Sequence, residues 1–143
     1  IEVHDNGRGM DRETLNRVLD PFMTTKKGKR CGLGLSLTQT AARRCGGDLK
    51  VTSLPEEGTS VTVWFQLDHI DRQPLGDMVQ TLTTVLVANP QIQFDLVRVT
   101  DEEKLEWSTS EITREFGEVM RTNPAVMEYI EHVLTLLYDN VEP

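Results

Sequence analysis

Asp20-Pro-Phe-Met-Thr-Thr-Lys-Lys-Gly-Lys-Arg-Cys-Gly-Leu-Gly-Leu-Ser-Leu37 is the stretch on which the reading of this chain turns. Four of the five residues Lys26, Lys27, Gly28, Lys29 and Arg30 are cationic. Gly32 and Gly34 then bracket Leu33, and the residues from Leu35 to Arg44 read as a helix with apolar positions at Leu35, Leu37, Ala41, Ala42 and Cys45. A basic loop that ends at a helix N-terminus favours an anion, because the first-turn N–H groups and the positive end of the helix dipole face the same point. Glycines there let a ligand approach the backbone closely. Gly-x-Gly before a helix also fits a plain turn, so the flanking sequence has to decide.

Upstream, Ile1–His4 alternates like a strand and runs into Asp5-Asn-Gly-Arg-Gly9. Asp11 has N-cap chemistry for a short helix carrying Leu15, Val18 and Leu19, which Asp20-Pro21 ends. Downstream, Gly46-Gly47 is a helix C-cap signal. Asp48–Leu54 and Thr59–Leu67 read as two strands joined through Pro55-Glu-Glu-Gly58, with Val61, Val63 and Phe65 alternating against Thr62, Trp64 and Gln66. Strand, helix, loop, helix, hairpin is an α+β layer pattern.

The polar, proline-bearing stretch Asp68–Leu75 is the expected boundary, so domains are placed at 1–68 and 76–143. The second opens with a helix from about Gly76 to Asn89. A hairpin is expected from Ile92–Val99 and Leu105–Trp107. Ser108-Thr-Ser-Glu111 has capping-box spacing for the next helix. Asn123-Pro124 opens the last helix, whose one face carries Val126, Ile130, Val133, Leu134 and Leu137.

Composition limits the options. The chain has 143 residues and a net charge of −8. Residues 1–53 hold ten Lys/Arg against six Asp/Glu, and residues 54–143 hold five against seventeen. An acidic total argues against a nucleic-acid binder, and the local basic excess suits a small anionic ligand. No apolar run approaches the roughly 20 residues that span a bilayer. Cys31 and Cys45 make neither a disulfide framework nor a zinc site, which fits a reducing, cytoplasmic setting. Ile1 reads as a strand already under way, so the chain is expected to be part of a longer protein.

A carboxylate at a strand end, glycines beside it, a basic loop and a phosphate-capable helix start together suit a purine nucleotide. A fixed carboxylate accepts the exocyclic amino proton of adenine and so prefers it to guanine. The sequence resembles the ATP-binding domain shared by histidine kinases, gyrase, heat-shock chaperones and mismatch-repair ATPases, and within that superfamily bacterial sensor histidine kinases. Asp5-x-Gly7-x-Gly9-Met10 matches the first glycine box, Pro21–Lys26 the phenylalanine box, and Gly32-Leu-Gly34-Leu-Ser36 the second glycine box. Gly46-Gly47-Asp48 and Gly58-Thr59 match the closing segment. The match covers residues 1–67.

The resemblance implies a partial two-layer α/β sandwich of the histidine kinase ATPase type, followed by a small α/β tail. It implies that Asp5 bonds adenine, directly and through a water shared with Thr59, and that Gly7 and Gly9 shape the base pocket. Phe22 and Lys26 would belong to a lid, and the amides of Gly32, Leu33 and Gly34 would face the phosphates. ATP and Mg²⁺ are the implied cofactors, with the Mg²⁺ ligand expected upstream of residue 1. No catalytic residue or metal ligand is expected within the chain, and His4, His69 and His132 read as structural or surface residues. The chain alone is therefore expected to be inactive.

Two functions compete. One is the ATP-binding half of a histidine kinase, partnered by a phosphoacceptor domain. The other is an ATP-driven switch that signals to a partner, such as a redox enzyme, through the acidic tail. An anti-sigma-type serine kinase is disfavoured by Phe22-x-Thr24-Thr25-Lys26.

Overall fold

The computed structural model describes residues 1–22, 32–116 and 123–138. The chain divides into two compact units, Ile1–Gln73 and Pro74–Pro143. Both are built from helices and antiparallel strands, an α+β architecture.

In the first unit, strand β1 (Glu2–Asp5) leads to helix α1 (Arg12–Arg17). Helix α2 (Gly34–Arg44) then precedes the hairpin of β2 (Asp48–Leu54) and β3 (Gly58–Trp64). The strand order is β1-β3-β2, so the last strand lies between the first two and pairs antiparallel with both. Local chemistry explains the element ends. The Asp11 side chain accepts from Thr14 N at 2.7 Å and caps α1. That bond, made to a backbone N–H, holds the Asp11 carboxyl below its ordinary pKa. At the other end of α2, Gly46 has a φ of +69°. Gly47 N donates to Ala42 O at 2.9 Å and Gly46 N to Arg43 O at 3.3 Å, the paired bonds of a Schellman stop.

The helices lie over β2 and β3. Ala42, Leu49 and Val63 form the buried cluster there, joined by Leu19, Leu35, Val51, Val61 and Phe65. The apolar stripe of α2 is narrower than its sequence implies, because Leu37 and Ala41 face solvent. β1 is not covered, and Ile1 and Val3 are about 60% exposed. β3 stops at Trp64 instead of Leu67, since Gln66 N turns to bond Cys45 O at 2.9 Å.

The second unit comprises α3 (Met78–Ala88), the hairpin of β4 (Asp95–Val99) and β5 (Lys104–Ser108), α4 (Thr109–Phe116) and α5 (Pro124–Tyr138). Leu86, Trp107, Ile112, Val126, Ile130, Leu134 and Leu137 make a larger buried cluster than that of the first unit. Asn123 caps α5 by accepting from Ala125 N at 2.9 Å, with Pro124 at the first helical position as its sequence implies. The capping box at Ser108 differs from expectation. Its hydroxyl accepts from Ser110 N at 3.1 Å, one residue short of Glu111, and donates to Asp95 Oδ1. β4 begins at Asp95, not Ile92, because Ile92 N is turned back to Asn89 O.

Candidate functional site

The residues that matter lie where the apolar rungs of the three-stranded sheet end. Antiparallel partners point to the same face, so the register defines successive rungs. Val3, Val61 and Val51 make one, and Asp5, Thr59 and Ser53 make the next. The apolar face that carries the core thus becomes polar at its last step.

The turn after β1 folds back onto the tip of the β2–β3 hairpin. Gly7 N donates to Asp5 Oδ1 at 2.9 Å, an Asx turn that orients the carboxylate. Glu56 N donates to Arg8 O at 2.8 Å, and Met10 N to Ser53 Oγ at 2.9 Å. Gly9, with a φ of +62°, lies so close to Leu54 that a Cβ would come within 1.8 Å of its carbonyl oxygen. Gly58, with a φ of +101°, presses equally on Asp5. These contacts bring together Asp5, Gly7, Gly9 and Thr59, four of the residues singled out by sequence, and leave the Asp5 carboxylate exposed to solvent.

The phosphate-side candidates form a second group. Leu33 stands at the N-cap position of α2 without a side-chain cap, and Gly34 opens the helix. A Cβ on Gly34 would meet no protein atom within 4 Å, so nothing in the fold of the described residues demands glycine there. Gly32 precedes them and is half-buried, while Phe22 is 83% exposed. No hydrogen bond among the described residues joins Phe22, Gly32, Leu33 or Gly34 to the Asp5–Thr59 rung. Lys26 lies outside the described residues, as do Cys31 and the rest of the basic run. Among the described residues there is no group of three His, Cys, Asp or Glu side chains able to hold a metal ion.

Sequence reasoning missed Ser53. Its hydroxyl contacts Met10 N, Gly58 O and Thr59 Oγ1 at 2.9, 2.8 and 3.1 Å, and so ties the turn, the hairpin tip and the rung together. The available signal was a serine in phase with Leu49 and Val51, on the face that should be apolar.

The first unit thus combines an α/β layer, a carboxylate and glycines at the strand ends, and a helix start without a side-chain cap. Residues 1–69 match the family described as histidine kinase-, DNA gyrase B-, and HSP90-like ATPase. Over these residues the chain carries a histidine-kinase-like ATPase domain. The chain is 41% identical over 63 residues to the signal transduction histidine-protein kinase AtoS of Escherichia coli (strain K12), covering 44% of this chain and 10% of that protein. To the sensor histidine kinase ZraS of Escherichia coli O157:H7 it is 32% identical over 76 residues, 53% of this chain and 16% of the relative. To sporulation kinase A of Bacillus subtilis (strain 168) it is 40% identical over 65 residues, 46% and 11%. The chain therefore spans between 10% and 16% of the length of these relatives. No solved structure matches it.

Proposed function

We propose that residues 1–69 bind ATP, and that in the whole protein this domain supplies the γ-phosphoryl group transferred to a protein histidine. The observation that carries this reading is the rung at which Asp5 stands opposite Thr59, buttressed by Gly58 and by the Asx turn to Gly7. The residues suit the nucleotide. Asp5 offers an exposed carboxylate for the adenine amino group, Thr59 a hydroxyl beside it, and Gly7 and Gly9 a close backbone. At α2, the amides around Gly32, Leu33 and Gly34 suit phosphate oxygens. Phe22 and Lys26 are assigned to the lid over the triphosphate, Lys26 by its charge. Mg²⁺ accompanies the triphosphate, and none of residues 1–143 is assigned as its ligand. The nucleotide supplies the phosphoryl group; the protein's part in such a transfer is positioning and electrostatic stabilisation.

The partner in this reading is a phosphoacceptor histidine domain, and the setting is cytoplasmic. No helix among the described residues is long and apolar enough to cross a membrane. A second reading has its own support in the tail, which packs around its own apolar core. There, ATP binding drives a switch read by a protein that docks on the acidic second unit. Incubating the full-length protein with γ-labelled ATP separates the two: acid-labile, base-stable label on protein supports phosphotransfer, and nucleotide binding without label supports the switch.

The site itself is tested with Asp5→Asn. Asparagine keeps the oxygen that Gly7 N–H needs but loses the charge. A charge-assisted hydrogen bond is worth about 1.5–3 kcal/mol, so ATP affinity should fall roughly 10- to 100-fold with the melting temperature unchanged. Unchanged affinity removes Asp5 from the site.

A further inference from the structure

The sheet of the second unit is the β4–β5 pair, so among the described residues each strand has one side without a neighbouring strand. Hydrogen-bond parity fixes which groups face outward there. One step beyond each end of the register, Thr109 N donates to Phe94 O and Thr100 N to Glu103 O, both at 2.9 Å. Bonded and unbonded pairs alternate along an antiparallel ladder, so Leu96 and Arg98 bond to β5, while Asp95, Val97 and Val99 turn their N–H and C=O groups away from it. The side chains of these three also lie on the outer face, where Val97 is 52% and Val99 69% exposed. Leu96 packs against the core, and Arg98 reaches Leu137 O. The outer edge of β5 differs. It carries Lys104 and Glu106, paired with each other, and charged side chains keep an edge in water. The β4 edge is instead a row of open backbone groups beside two β-branched apolar side chains, which favours further pairing.

We propose that β4 is an interface between two copies of this chain, which pair edge to edge, antiparallel, into one four-stranded sheet. An antiparallel edge is self-complementary about a two-fold axis, so the same surface serves both copies. Charge chooses the register. With the axis at Arg98, two arginines would stand directly opposite each other, and like charges so placed destabilise a sheet. With the axis at Val97, Arg98 faces the partner's Leu96, Val97 the partner's Val97, and Asp95 the partner's Val99. Lys104 is the cross-strand neighbour of Val99. The partner's Lys104 therefore lies on the same rung as Asp95, about 10 Å or two strand spacings away, and is of opposite sign. The outward residues of the two edges then exchange about six backbone hydrogen bonds, and Val97 and Val99 of both copies meet on one face. The surface lies wholly in the second unit, so it stands apart from the nucleotide reading of the first.

Cysteine cross-linking in the full-length protein reads this register. Across the axis, the Cα atoms of Val97 and the partner's Val97 would be about 5.5 Å apart, inside the disulfide range. Those of Val99 and the partner's Val99 would be roughly 14 Å apart, four residues of strand rise, and cannot be bridged. Under mild oxidation Val97→Cys should give a covalent dimer above the wild-type background, and Val99→Cys should not. Asp95→Cys with Val99→Cys in one chain should again cross-link, because those positions face each other; this variant decides if Val97→Cys does not fold. Val97→Lys sets two ammonium groups at the axis, and adding it to the Asp95→Cys, Val99→Cys chain should abolish the cross-link. A folded Val97→Cys protein that gives no dimer, or a dimer formed as readily by Val99→Cys, overturns the inference. So does a cross-link that survives Val97→Lys. If an extended peptide of another protein is the occupant of β4, the first of these results appears.

Discussion

Gly58→Ala strikes the point where the fold and the site share atoms. Gly58 opens β3 with a φ of +101°, and a Cβ there would lie 1.9 Å from Asp5 O and 2.9 Å from Asn6 Cα. Ordinary contact begins near 3.5 Å, so the β1 carbonyl has to retreat by roughly 1.5 Å. That carbonyl belongs to backbone paired with Thr59, so it cannot swing aside as a side-chain tip can. Two terms add. A side chain held at positive φ is strained by about 1–2 kcal/mol, and overpacking a closed contact adds about 1–3. The expected loss is ~2–5 kcal/mol, a large share of the stability of a domain this small. Urea unfolding followed by circular dichroism measures it, and the loss should fall on the transition of the first unit. Asp5 moves with its carbonyl, so nucleotide affinity should drop in the molecules that remain folded. Gly34→Ala is the internal control. It meets no protein atom, and alanine favours a helix over glycine by up to about 1 kcal/mol, so stability should hold or rise. Affinity lost at Gly34 without lost stability then reports the space a ligand needs. If Gly58→Ala unfolds within about 1 kcal/mol of wild type, the close-approach reasoning is wrong.

Two other perturbations probe the units separately. Arg98, whose side chain is 12% exposed, donates from Nη1 to Leu137 O at 2.6 Å in the last turn of α5. Arg98→Met strands that carbonyl and should destabilise the second unit by about 1–3 kcal/mol in urea unfolding; a change under ~0.5 refutes the capping role. In the first unit, Arg43 grips Asp48 through Nε at 3.0 Å and Nη2 at 3.3 Å, and Leu49 N–H adds a third bond. These bonds, Arg43 first, hold the Asp48 carboxyl below its ordinary pKa. A depressed carboxylate stabilises fully above its unfolded pKa, near 3.9, and loses that contribution as pH falls through the folded value. Thermal melts should therefore be flat in this term above about pH 5 and decline below about pH 4. Arg43→Met should flatten part of the acid decline, and an unaltered acid limb argues against the pair.

What could be read from sequence was what short-range chemistry decides. Asp11, Gly46-Gly47 and Asn123-Pro124 each end or begin a helix through bonds made within a few residues, and the structure has all of them. The family resemblance over residues 1–67 could be read for the same reason, from short local stretches, and the family match spans residues 1–69. Errors arose where a distant partner decides. Leu37 looks like core by spacing, yet the helix is covered on one side only, and whether a stripe is covered depends on the sheet beneath. β3 stops early because Cys45, some twenty residues earlier, offers its carbonyl to Gln66. Ser53 depends on three partners in three segments, and no window along the chain contains them all. The phenylalanine box and its lysines, apart from Pro21 and Phe22, lie outside the described residues.

The register that makes the core also aims the site. On one face of the sheet the rungs run from Val63 with Leu49, through Val3, Val61 and Val51, to Asp5, Thr59 and Ser53. The first are held in place by burial against Ala42. A slip of β1 by one residue against β3 would turn Val3 and Asp5 together to the opposite face, where Glu2 and His4 now meet Thr62 and Ser60. That face is polar and accepts charge readily, so burial of Val3 alone, about 60% exposed as it is, resists such a slip weakly. The stronger restraint is at the far end. Gly58 admits the Asp5 carbonyl at a distance no other residue tolerates, and the Asx turn to Gly7 needs the Asp5 side chain where it is. Gly58 and the Asp5–Gly7 turn therefore fix the register of β1, and with it where the Asp5 carboxylate stands.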